Sequence, residues 1–207
     1  LITVHDWCSG SPTVGVGGTV YISVSGLLYA LEGDTGSTKW TFNSESGFVL
    51  SDVALAEDGT IYFGSGNGRF YAINGTTGEK KWEFVTGKGN YTPVIGTDGT
   101  VYFGSSPGKL YALNGKTGVK KWEFDAGTYI TSSPAIGNDG VIYVGAWGGY
   151  GGSDNEKLYA LNGATGSKLW DFSMGYITES HSPTSPVIGS DGTVYIGSSG
   201  AGKVYAI

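Results

Sequence analysis

Apolar and polar positions alternate along this 207-residue chain in short runs, and no helical period is sustained anywhere. Five successive units read the same way: a small apolar strand, a turn, an aromatic strand, a loop, a Tyr-Ala strand, a second turn and a Trp strand. The first strand recurs as "SPTVGV" (11–16), "DVALAE" (52–57), "TPVIGT" (92–97), "SPAIGN" (133–138) and "SPVIGS" (185–190). The second follows as "TVYIS", "TIYFG", "TVYFG", "VIYVG" and "TVYIG", introduced four times out of five by Asp-Gly, which favours the positive backbone angles of a tight hairpin. The fourth carries Trp40, Trp82, Trp122 or Trp170. In "KKWEF" the Trp and Phe are two apart and share a face, while the residue between them points the other way.

Self-similarity at about 40 residues with four strands per unit predicts a propeller blade. The expected fold is all-β: a single five-bladed β-propeller domain, 1–207, of four-stranded antiparallel blades. The blades fall at about 11–45, 52–87, 92–127, 133–175, and 185–207 together with 1–7. The fifth unit breaks off at "KVYAI", where its Trp strand should begin, and "LITVHDW" places Trp7 in that slot. The N-terminal strand is therefore expected to complete the last blade and close the ring, removing two open sheet edges. The competing arrangement is a five-repeat piece of a larger ring.

Composition narrows the function classes. Charged residues are 14% of the chain against 38 glycines, as expected of short strands and tight turns. A net charge of −6, with lysines spread one or two per repeat, argues against nucleic acid, which requires clustered cations. The single Cys8 excludes an internal disulfide and a thiolate metal cage. No run approaches the roughly 20 apolar residues of a membrane span. A first residue of Leu1 in place of Met leads us to expect that a signal peptide or upstream domain has been removed. Two triplets, "NGT" at Asn74 and "NYT" at Asn90, would accept N-glycans in a secretory context.

The stretch "LYALNGKTGVKKWEF" (110–124) recurs from Leu28, Phe70 and Leu158. Its run Ala112, Asn114, Thr117, Gly118, Trp122 resembles the tryptophan-docking repeat of the pyrroloquinoline quinone (PQQ)-like, quinoprotein-type propeller family. The resemblance implies that Trp7, Trp40, Trp82, Trp122 and Trp170 pack between neighbouring blades and that the Thr-Gly turn receives them. A large flat ring with one N–H donor suits such an interface. Resemblance to the repeat is not resemblance to the family's enzymes. Many of those hold the quinone with an adjacent cysteine pair and calcium-binding carboxylates, and Cys8 has no cysteine neighbour. The family also contains noncatalytic assembly lipoproteins and cell-surface modules, so no catalytic residue and no cofactor are expected.

If the repeated residues are architecture, function lies in what remains. Subtraction leaves Trp147, Tyr150, Phe48, Tyr91, Tyr129 and Tyr176, all in connections that emerge at one end of the blades. Four of them, about one per blade, cap strand ends; a ring of aromatics round a channel mouth would also suit a ligand. The fourth unit departs most, with the long connections "GAWGGYGGSDNEK" (145–157) and "SMGYITESHSPTS" (173–185). The candidate ligand site is accordingly Trp147, Tyr150, Asp154, Glu156, Tyr176, Glu179 and His181: an aromatic platform with polar partners. Asp154, Asn155 and Glu156 lack the spacing and glycine of a calcium loop, so no metal is expected. His181 and Glu179 lack a neighbouring nucleophile.

The sequence thus predicts a noncatalytic binding or scaffolding module, extracellular, at the cell surface or periplasmic, whose partner is a protein or a carbohydrate. Two alternatives stand beside it: a self-associating tile of a surface layer or filament, and a fragment of a quinone-dependent dehydrogenase.

Overall fold

The computed structural model describes residues 11–24, 26–45, 51–90, 92–130, 132–148, 156–175 and 183–207. Their strands form five antiparallel sheets. The first holds β1 (Thr13–Val14), β2 (Val20–Val24), β3 (Leu27–Leu31) and β4 (Thr38–Asn43). The second holds β5 (Ala54–Leu55), β6 (Thr60–Gly64), β7 (Arg69–Asn74) and β8 (Lys80–Val85). In the third are β9 (Lys88–Asn90), β10 (Val94–Ile95), β11 (Thr100–Ser106), β12 (Lys109–Asn114) and β13 (Lys120–Asp125). The fourth comprises β14 (Tyr129–Ile130), β15 (Ala135–Ile136), β16 (Val141–Trp147), β17 (Glu156–Asn162) and β18 (Lys168–Gly175). The fifth comprises β19 (Val187–Ile188), β20 (Val194–Ser198) and β21 (Lys203–Ala206). Each sequence unit becomes one sheet. The expected closing strand, residues 1–7 with Trp7, lies outside the described residues, and no described strand joins the first sheet to the last.

Two features depart from four regular strands per unit. The first strand of each sequence unit, β1, β5, β10, β15 or β19, pairs over only two residues. In four of the sheets a proline without an N–H, Pro12, Pro93, Pro134 or Pro186, precedes it, and a glycine follows whose N–H already turns back. Gly15, Gly96, Gly137 and Gly189 each donate to the carbonyl of the residue four ahead at 2.8 Å. The second departure is that connectors add strands: β9 pairs the end of β11, and β14 pairs the end of β16.

A fixed register explains the repeated Ala and Trp. Ala30 faces Trp40, Ala72 faces Trp82, Ala112 faces Trp122 and Ala160 faces Trp170, each followed by a register shift. The small Ala leaves the indole free to reach the next sheet. There Trp40 Nε1 donates to Gly75 O at 3.0 Å, Trp82 Nε1 to Gly115 O at 2.8 Å and Trp122 Nε1 to Gly163 O at 2.9 Å. The hydroxyls of Tyr21, Tyr62 and Tyr102 donate to the same three carbonyls at 3.1, 2.9 and 3.1 Å. Glycine is required one turn further on, because a Cβ at Gly78, Gly118 or Gly166 would stand 2.8, 2.8 or 2.6 Å from the docked indole. A second contact repeats at every junction: Phe42–Tyr71, Phe84–Tyr111, Phe124–Tyr159 and Phe172–Tyr205 meet edge-on at 5.3–5.4 Å. The buried core therefore lies between sheets, as a file of clusters.

Trp170 differs from its counterparts. It keeps the tilt against Tyr143, at 5.8 Å and 52°, but is 36% exposed where Trp122 is 8% exposed. Among the described residues no fifth-sheet turn covers its ring.

Candidate functional site

Strand β16 carries the tryptophan that the repeat does not explain. The strand pairing brings Trp147 directly opposite Glu156 on β17, so the hairpin departs from the other units only beyond that pair. On the other side β14 places Tyr129 opposite Trp147. Their rings lie 6.0 Å apart at 33°, and the Thr128 hydroxyl donates to the Trp147 carbonyl. Tyr129 is 46% exposed and Trp147 half-buried. The pair is a shallow aromatic surface at one end of the fourth sheet.

From the sequence, Glu156 is expected as a polar partner of the aromatic platform. It is fully buried, and the Ser198 hydroxyl of the fifth sheet donates to its carboxylate. Ser198 Oγ accepts the Ala201 N–H at 3.1 Å in turn. The physical reason is register: opposite Trp147, the side chain belongs to the paired part of β17, not to the loop. Glu156 therefore ties the fourth sheet to the fifth beneath the aromatic pair. Tyr150, Asp154, Tyr176, Glu179 and His181 lie outside the described residues.

Hydroxyls at the connectors fix the same end. Ser51, Ser132 and Thr184 accept the N–H of Gly64, Gly145 and Gly197 at 2.8, 2.7 and 2.9 Å, tying each connector to β6, β16 or β20, the first long strand of its sheet. Sequence reading missed these residues; their signal is the Ser or Thr three places before the first strand, β5, β15 or β19. It also undervalued Tyr129 as a strand cap, because the pairing of "TYI" with β16 is not written in any alternation.

The opposite end of the sheets is polar. Lys81 reaches Asp58 at 3.4 Å, and Lys121 reaches Asp98 at 3.0 Å. Partial burial pushes the Asp98 carboxyl up, but hydrogen bonds from Thr100 and Lys121 outweigh it and hold the group at about 2. Burial, aided by the Asp58 charge, pushes the Tyr62 phenol up to about 12. Clefts of about 410 and 270 Å³ separate neighbouring turns at this end, the first lined by Asp98, Tyr102 and Asn138, the second by Asn138, Asp139, Tyr143 and Asp191.

A family model described as outer membrane protein assembly factor BamB matches residues 3–123 and 90–207. The chain belongs to this BamB family. Its sheets also resemble two solved PQQ-repeat propellers and a designed protein. BamB from Moraxella catarrhalis matches 99% of this chain and 74% of its own, at 20% identity and a TM-score of 0.63. A quinohemoprotein alcohol dehydrogenase, ADHIIG from Pseudomonas putida HK5, matches 100% of this chain and 43% of its own, at 15% identity and a TM-score of 0.74. The computationally designed Ika8 protein matches 94% of this chain and 56% of its own, at 14% identity and a TM-score of 0.75. The chain thus spans about three quarters of the BamB structure and less than half of the dehydrogenase. Among curated protein sequences none matches it significantly.

The dehydrogenase likeness raises the question of a calcium-held quinone. Among the described residues no group of three or more His, Cys, Asp or Glu side chains is placed to hold a metal ion. With a single cysteine in the chain, the donors among the described residues do not fit a calcium-held quinone.

Proposed function

We propose that this BamB-family chain is a noncatalytic binding module of the cell envelope, periplasmic or at the cell surface, that recognises a protein partner through the loop face of its fourth and fifth units. The observation that carries this reading is the Tyr129–Trp147 pair, the aromatic surface left over once the docking tryptophans are accounted for. Aromatic side chains supply large contact area at small entropic cost, which suits a recognition surface. The long connections 145–157 and 173–185 leave the described strands β16 and β18 at the same end. Tyr150, Asp154, Tyr176, Glu179 and His181 are proposed as their contribution. An assembly factor acts by holding other proteins, so the family description favours a protein over a glycan.

The test is retention of envelope proteins from the producing organism on the immobilised chain. A species retained by the native chain and lost with Trp147→Ala or Tyr129→Ala supports the reading, provided both variants unfold at the native midpoint. Retention unchanged by either variant overturns it. Quinone-dependent dye reduction by the chain supplied with PQQ and calcium would favour the dehydrogenase alternative instead.

A further inference from the structure

Three sheets carry the same polar pair at the end opposite Trp147, and the fourth has exchanged both members. Lys39 Nζ donates to Thr19 Oγ1 at 2.9 Å, and the Lys81 and Lys121 ammonium groups donate to Thr60 and Thr100. In the second and third sheets the ammonium also meets the turn carboxylate, Asp58 or Asp98. The fourth sheet keeps the carboxylate: Asp139 accepts the Val141 N–H at 3.1 Å, as Asp58 and Asp98 accept those of Thr60 and Thr100 at 2.9 Å. But the threonine position is Val141 and the lysine position, next to the Trp, is Leu169. The register confirms the equivalence: Val141 faces Asn162 as Thr100 faces Asn114, and Trp170 faces Ala160 as Trp122 faces Ala112.

The two changes go together. Either alone would leave a lysine without its hydroxyl or a threonine without its ammonium; both together give a carboxylate beside an apolar pair. Leu169 is 50% exposed, Val141 is half-buried, and the adjoining Trp170 ring is partly uncovered. Among the described residues no Lys or Arg forms an ion pair with Asp139, whereas the fourth sheet's lysines, Lys157 and Lys168, both pair with Asp171. Asp139 also walls the 270 Å³ cleft toward Asp191, so the seat opens into free space.

We infer that Asp139, Val141 and Leu169 form a docking seat for a lysine side chain of a partner polypeptide. The partner's ammonium takes the place held internally by Lys81 and Lys121, while its alkyl stem and an adjacent apolar residue lie on Val141 and Leu169. Charge complementarity selects the occupant: the chain is net −6, and the equivalent carboxylates of two sister sheets already hold an ammonium. The seat lies at the start of β16 and Trp147 at its end, about 20 Å away for six strand residues. It is a second surface, independent of the aromatic one.

The test uses the 207-residue chain and two peptides, acetyl-Leu-Lys-Leu-amide and its norleucine analogue, followed by methyl and amide chemical shifts. The lysine peptide is expected to move the Val141 and Leu169 methyls and the Asp139 amide, and to bind about fivefold more tightly than the norleucine peptide at low salt. The double change Val141→Thr with Leu169→Lys rebuilds the internal pair and is expected to abolish binding. Asp139→Asn, which keeps the turn acceptor, should reduce the two peptides to equal affinity should the double variant not fold. Equal binding of both peptides to the native chain, shifts located elsewhere, or binding that survives these variants would overturn the proposal. Self-association of the native chain that the double variant removes would overturn it as well, by making a second copy the occupant.

Discussion

At the scale of the residue, a tryptophan and a tyrosine from one sheet share a single glycine carbonyl in the next. Trp122 and Tyr102 converge in this way on Gly163. Trp122→Phe keeps the ring but removes one donor, and is expected to cost about 1–2 kcal/mol in urea unfolding. Trp170→Phe removes no comparable described bond from a ring 36% exposed, and is expected to cost about 0.5 kcal/mol or less. Asp98 supplies the pH dependence. Its folded pKa, about 2, lies below the unfolded carboxylate value of about 3.9, so its contribution is present in full above about pH 4. That contribution is lost as the pH falls toward 2, and Asp98→Asn should flatten this part of a midpoint-versus-pH curve. The docking tryptophans were legible in the sequence because they recur in register. The burial of Glu156 was not, because a carboxylate beside "GGSDN" reads as loop and only the pairing with Trp147 turns it inward.

At the scale of the element, the C-terminal turn of one sheet is shaped to receive the preceding sheet's indole. Gly166 has φ +73°, and a Cβ there would lie 2.6 Å from Trp122. Gly166→Ala therefore adds a clash to a left-handed backbone and should cost about 2–4 kcal/mol. Gly140 has a similar φ of +78° but open space around it, so Gly140→Ala should cost only the backbone part, about 1–2 kcal/mol. The difference between the two, read from thermal or urea unfolding, separates turn strain from docking. Strands two to four of each unit follow from alternation and Asp-Gly or Thr-Gly turns. The added strands β9 and β14 do not, since "KGN" and "YI" carry too few residues for a period and pair only because β11 and β16 run on past the two-residue strands β10 and β15.

At the scale of the molecule, burial is shared along a file of sheets, and the last sheet has the least of it. Val204 is 78% exposed, whereas Leu28, Phe70, Leu110 and Leu158 at the same position of the other four sheets are fully buried. Amides of β20 and β21 are therefore expected to exchange with deuterium well before those of β11 and β12; equal protection would show that the fifth sheet is covered in solution. The repeat architecture explains stability by contacts between neighbours, and leaves the two ends of β16 to differ from their equivalents. The central claim is that the Tyr129–Trp147 end is a recognition surface. Hydrogen–deuterium exchange of the chain with and without the retained envelope protein tests it most directly. The account predicts protection on partner binding over 128–130 and 145–157; a bound partner that leaves those segments unprotected would contradict it.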